Sequence, residues 1–168
     1  IGTTHFRPYI SNDPVGAQIG GAVKNVLAIA CGIVAGRRMG DNARAALITR
    51  GIAEMARLGM AKGAMPQTLM GLSGLGDLTL TCTGMQSRNM SLGQALGEGR
   101  DLEEILSERT SVTEGVFTAS AIRVLAETLD IEMPICNAVD DVINRRHDLN
   151  KVIDDLLARP FSIEGHTK

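Results

Sequence analysis

The longest apolar stretch of the chain runs from Val15 to Gly36, behind Asp13-Pro14, which offers an N-cap and a first-turn proline. The pattern predicts one buried helix or two. The stretch is long enough to raise a membrane span, but Gln18, Lys24 and Asn25 interrupt it, and one central Lys costs about 2.5–3.5 kcal/mol on insertion scales. It is read as a core helix, with no membrane span. Asp41 or Asn42 can cap a second helix reaching about Lys62, where Ile48, Ile52, Met55 and Gly59 share one face. Arg50, Glu54 and Arg57 line another face of it as paired charges. A short apolar helix follows Pro66, and Gly71, Gly74 and Gly76 open a loop that runs through Asp77 to Gly84. Ser87 can start a helix to about Leu96, and Asp101 with Glu104 makes a capping box for another. Ala119, Ile122, Ala126 and Leu129 form a stripe on a helix that stops before Pro134. Two more are predicted, from about Ile135 to Arg146 and from Leu149 or Asn150 onward, the last with Val152, Ile153, Leu156 and Leu157 facing inward. Ahead of all these, residues 3–10 read as a short extended segment, because Pro8 blocks a helix and biases Arg7 toward β geometry. The pattern is all-α, with seven or eight helices and no internal repeat.

Composition narrows this picture. At 168 residues the chain fits one domain, and a domain of that size buries about 70% of its unfolded surface. Hydrophobic residues at 44% against charged residues at 21% exclude a disordered polyelectrolyte. With three Phe, one Tyr and no Trp, the core has to be built from small aliphatic side chains and eight Met, which lets helices approach closely. A net charge of -2 and a scarcity of stacking side chains give no footprint for nucleic acid. Cys31, Cys82 and Cys136 are widely spaced and His5, His147 and His166 are scattered, so neither a disulfide framework nor a metal site is expected. No signal-peptide pattern stands at the start, and a reducing cytoplasm is the expected setting.

The candidate chemistry lies in isolated charges. Between Val15 and Gly36 the only ionisable charge is Lys24, and between Gly63 and Ser87 it is Asp77. A lone ammonium in an apolar helix and a lone carboxylate in a Gly-rich loop each cost several kcal/mol unless partnered, so the two are natural partners. A lysine whose pKa responds to its surroundings, held by a carboxylate, suits proton transfer. The alternative is that Lys24 snorkels to the surface and Asp77 caps a turn. Farther on, Ser87-Arg88-Asn89 brings a hydroxyl, a guanidinium and an amide to a predicted helix start, a pattern fit for a phosphate; a plain Ser N-cap with a solvated Arg would read the same. Ser111 and Glu114 read most simply as a capping box. There is no H-E-x-x-H, no Walker A and no G-x-G-x-x-G.

The strings GGAVKN (Gly20 to Asn25), NARAALITRGIAEMARLG (Asn42 to Gly59), GLSGLGDLTLTCTGMQSRN (Gly71 to Asn89) and VTEGV (Val112 to Val116) resemble the carboxy-terminal domain of bacterial NAD(P)-dependent glycerol-3-phosphate dehydrogenases. The resemblance extends from about Ser11 to about Leu157. It implies the all-α fold shared by the carboxy-terminal domains of 6-phosphogluconate and glycerol-3-phosphate dehydrogenases. By it, residues 1–10 are the end of a nucleotide-binding domain with a short residual strand, 11–158 the helical substrate-binding domain, and 159–168 a flexible tail. It implies hydride exchange between NAD(P)H and dihydroxyacetone phosphate, giving sn-glycerol 3-phosphate for phospholipid synthesis. By the same resemblance Lys24 is the catalytic proton donor and Asp77 orients it and the substrate. Ser87, Arg88 and Asn89 bind the phosphate, Arg88, Val112 and Glu114 line the cofactor, and Asn25 and Thr81 share the cleft. The partners so implied are the substrate and a Rossmann domain holding most of the cofactor, with a homodimer as a further possibility, and no metal. Without that domain the chain is expected to be inactive. Competing readings are a non-enzymatic docking or dimerisation module, or the helical domain of another lysine-using hydroxyacid or ketoacid dehydrogenase.

Overall fold

A computed structural model describes residues 2–5, 7–84, 86–109 and 113–160. Among these, nine α-helices and one π-helical turn make up the regular structure. The first helix, α1 (Pro14–Gly36), is the axis of the molecule. From Val26 to Val34 every residue is buried, because neighbours cover it on all sides; the all-round apolar run is that of a helix with no solvent face. By length and hydropathy α1 could cross a membrane, yet its apolar residues are taken up by other helices of the same chain. Asp13 caps it by accepting from the Gly16 N–H at 2.8 Å, and its other oxygen accepts from the Met65 N–H at 2.8 Å. One carboxylate thus starts α1 and pins the connection behind the second helix.

Around α1 stand α2 (Asp41–Ala61), α3 (Pro66–Leu69), the π turn Leu72–Gly76, α4 (Asp77–Thr83), α5 (Arg88–Gly97), α6 (Leu102–Ser107), α7 (Glu114–Thr128), α8 (Pro134–Ile143) and α9 (Leu149–Leu157). The tightest packing is α1 against α5, where Gly32 and Gly36 of one helix meet Gly93 and Gly97 of the other. A Cβ on Gly93 would stand 3.0 Å from the Cα of Gly32 and 2.8 Å from the Ile29 carbonyl carbon, so the two backbones touch. This is the close approach that a core nearly free of aromatics permits.

Four expectations need correcting. The Gly71–Gly84 segment is not a loop: Gly76 N–H bonds back to the Gly71 carbonyl at 3.0 Å to form the π turn, which runs directly into α4. Gly74 serves packing, since a Cβ there would collide with the Leu69 backbone. Glu54 is no part of an exposed charge ladder; it is 1% exposed and caps α8 through the Ile135 and Cys136 N–H groups at 2.7 and 3.1 Å. Arg57 turns instead to the Glu132 carbonyl. Leu157 is 70% exposed, because α9 packs chiefly on α8 and a helix with one main neighbour buries a narrow face. Finally, residues 7–10 are irregular and Thr3 makes only an isolated bridge, so no strand forms among the described residues, where no second strand is present to pair with it. Residues 161–168 of the expected tail lie outside the described residues.

Candidate functional site

The apolar run of α1 begins in earnest at Val26, and the two polar residues just before it, Lys24 and Asn25, are half-buried where three other helices begin. Lys24 Nζ donates to Asp77 Oδ2 at 2.5 Å, with side-chain exposures of 22% and 34%. The pairing alternative therefore holds over snorkelling. Asp77 is the first residue of α4, and its backbone N–H bonds back to the π-turn carbonyls of Leu72 and Gly74. Thr81, one turn on, donates to the Asp77 carbonyl at 2.6 Å and lies 3.4 Å from Asp77 Oδ1. The π turn brings Asp77 to this place: Gly20 of α1 packs against the backbone of Ser73 and Gly74, leaving no room for a Cβ between them.

Asn25 joins the other two helix starts. Its Nδ2 donates to Glu114 Oε2 at 3.2 Å, and its Oδ1 accepts from Asn89 Nδ2 at 3.1 Å. Asn89, 8% exposed, completes the chain by accepting from the Gly115 N–H at 3.0 Å. Four residues from α1, α5 and α7 are so linked next to Lys24 in the chain, a network of which the sequence names Asn25, Asn89 and Glu114 without showing that they bond to one another. The capping box expected at Ser111 and Glu114 is not what starts α7: Thr113 is the N-cap residue, and its buried hydroxyl has no partner among the described residues. Glu114 spends its carboxylate on Asn25. Ser111 and Val112 lie outside the described residues.

Ser87 caps α5, accepting from the Met90 N–H at 3.2 Å. Its hydroxyl proton remains available to donate, since a serine oxygen can accept and donate at once. Arg88 is the first helical residue and is exposed. Arg109, which the sequence did not single out, reaches across from the segment after α6: its Nη1 donates to the Arg88 carbonyl and its Nη2 to Ser91 Oγ, each at 3.0 Å. Burial, and after it the charge of Arg100, pulls the Arg109 guanidinium below its usual range, against a smaller opposing effect of Glu108. No motif signals such a residue; an Arg after a short acidic helix reads as solvated.

The structure thus forms two bonded groups that meet at neighbouring residues of α1, Lys24 with Asp77 and Thr81, and Asn25 with Asn89 and Glu114, with Ser87 and Arg88 preceding Asn89 in sequence. Chemically they offer a cationic proton donor held by a carboxylate, beside the N-termini of α5 and α7, which favour negative charge.

Comparison with known proteins follows the same lines. The profile described as NAD-dependent glycerol-3-phosphate dehydrogenase C-terminus matches residues 13–154. A glycerol-3-phosphate dehydrogenase (NAD(P)+) of Rhodospirillum rubrum is 62% identical over 98% of this chain and 47% of its own length. The crystal structure of glycerol-3-phosphate dehydrogenase from Coxiella burnetii superposes with a TM-score of 0.88 at 44% identity, covering 94% of this chain and 48% of that one. A Dunaliella salina structure, at 20% identity and a TM-score of 0.77 over 92% of this chain and 33% of its own, shares the fold. The chain spans about half the length of the curated relatives it matches.

Proposed function

We propose, from the premise that this chain belongs to the NAD-dependent glycerol-3-phosphate dehydrogenase C-terminal family, that it forms the substrate-binding and proton-transferring half of an enzyme interconverting dihydroxyacetone phosphate and sn-glycerol 3-phosphate. The observation that carries the reading is the Lys24–Asp77 bond beside the starts of α5 and α7. In reduction Lys24 Nζ gives its proton to the oxygen developing on C2, and in oxidation it takes that proton back. Asp77 keeps the ammonium aimed, and Thr81 bonds to Asp77. The substrate phosphate meets the Ser87 hydroxyl, the Arg88 guanidinium and the start of α5, with the second Asn89 amide hydrogen as a further donor.

The nicotinamide, when bound, supplies and receives the hydride. The described residues offer no glycine-rich dinucleotide cradle, but the exposed Arg88 and Glu114, at the starts of α5 and α7, fit rim contacts with a cofactor held mainly by another domain; the family resemblance adds Val112 to them. Leu72 and Leu80, 68% and 71% exposed on the two elements that carry and adjoin Asp77, suit an apolar contact with such a domain. The product, a glycerophosphate, is a building block for glycerophospholipids, and a cytoplasmic setting belongs to the same reading.

Titration of the chain with glycerol 3-phosphate, followed by NMR, tests the substrate half-site. Weak binding with shifts at Lys24, Asp77 and the first turn of α5, lost in Arg88→Ala, is the expected result. An unperturbed spectrum at high millimolar ligand would overturn the reading.

A further inference from the structure

Arg109 is bound in a way that an ordinary surface arginine is not. Its two terminal nitrogens take the Arg88 carbonyl and the Ser91 hydroxyl, and Ser91 Oγ itself donates to the Arg88 carbonyl at 3.2 Å, closing a small ring over the first turn of α5. A planar guanidinium can span two acceptors in this way, whereas an ammonium carries no such fork. Both acceptors are neutral. Glu108, next to Arg109 in sequence, is paired with Arg100 at 2.7 Å.

The placement has an electrostatic cost. A cation beside the first turn of a helix opposes the helix dipole, and α5 has no acidic residue in that turn to offset it. Arg88 is at the same end.

We propose that Arg109 is a positioning residue for phosphate recognition: it ties the α6–α7 connection to the first turn of α5 and so fixes the backbone from which Arg88 meets the phosphoryl group. The proposal rests on the substrate reading above, and no motif or comparison assigns Arg109 a role.

A double-mutant cycle tests it, with glycerol 3-phosphate affinity of the 168-residue chain as the readout. Arg109→Met is expected to weaken binding by about tenfold when Arg88 is intact, as the loss of bonds to a charged group implies. In an Arg88→Lys background it should weaken binding by less than about twofold, because the residue it positions has already changed. Equal losses in the two backgrounds, or an unchanged affinity in Arg109→Met, overturn the proposal. Arg109→Lys, which keeps the charge and loses the fork, carries the same cycle if the methionine variant does not fold. Binding that survives Arg109→Met defeats this proposal alone, while a chain with Arg109 intact that binds no glycerol 3-phosphate defeats the substrate reading on which it stands.

Discussion

Glu54 shows how a single side chain can belong to a helix it is not part of. It sits in the middle of α2, yet its carboxylate is the N-terminal cap of α8. Burial raises its pKa, outweighing the two backbone N–H bonds and the charge of Arg57. The folded protein therefore holds a proton on Glu54 more readily than the unfolded chain, where a Glu titrates near about 4.3. Its contribution to stability is fully present below that value and is lost as pH rises through the raised folded value. Relative to Glu54→Gln, which does not titrate, the wild-type protein should gain stability as pH falls through the raised folded value toward about 4.3, measured by urea unfolding across that range; a slope of the opposite sign would contradict the assignment. Asp13 behaves in reverse. The Gly16 and Met65 N–H groups lower its pKa, so its stabilisation is present above the ordinary value near about 3.9 and is lost as pH falls through the lower folded value.

Between elements, two contacts differ in kind. The α1–α5 crossing is backbone against backbone, with no flexible atom to yield. Gly93→Ala is therefore expected to cost about 3 kcal/mol or more in urea unfolding. Gly21, also in α1, has nothing within 4 Å of a built Cβ, and Gly21→Ala should stabilise by about 0.5–1 kcal/mol through helix propensity alone. The α7–α8 contact is instead ionic. Asp140, 1% exposed, stands 2.8 Å from Arg123 Nε as an ion pair and accepts from Arg145 Nε at 3.2 Å, Ser120 Oγ at 2.6 Å and Asn144 Nδ2 at 2.9 Å. Burial by itself would raise the Asp140 pKa, but its hydroxyl, amide and guanidinium partners together hold it below the usual value. Asp140→Ala leaves Arg123 with Asp141 and the Asn137 carbonyl but removes the acceptor of Ser120, Asn144 and Arg145, and should cost about 1–3 kcal/mol, read as a lowered denaturation midpoint. Helix existence and most boundaries were legible because caps and spacing are local: Asp13, Ser87, Asp101 and Asp148 all cap the helices that follow them. Glycine was misread in the 71–76 stretch because a residue lacking a Cβ signals a turn and a close approach with the same letter. Glu54 was misread because its neighbours Arg50 and Arg57 make an amphipathic surface face as good a match as a buried cap.

In the whole molecule, the candidate site was visible in the sequence as far as it consisted of charges alone in apolar surroundings, which is how Lys24 and Asp77 stand out. Arg109 did not stand out, since its bonds are to a carbonyl and a hydroxyl distant in sequence. On the proposed function, the 168-residue chain supplied with NADH and dihydroxyacetone phosphate should consume no NADH, because the described residues provide a proton donor and a phosphate handle but no dinucleotide cradle. Turnover above the uncatalysed rate would show that the division of labour is wrong.

The glycine seam between α1 and α5 also sets a length. Lys24 departs from one helix and Arg88 from the other. With the two rods pressed together at Gly32 and Gly93, the gap between Lys24 and Arg88, the proton donor and phosphate anchor of the proposed function, is as stiff as the crossing itself. The seam then acts as a calliper set to one span of carbon chain, and a methyl group placed in it would spread the jaws for every substrate at once.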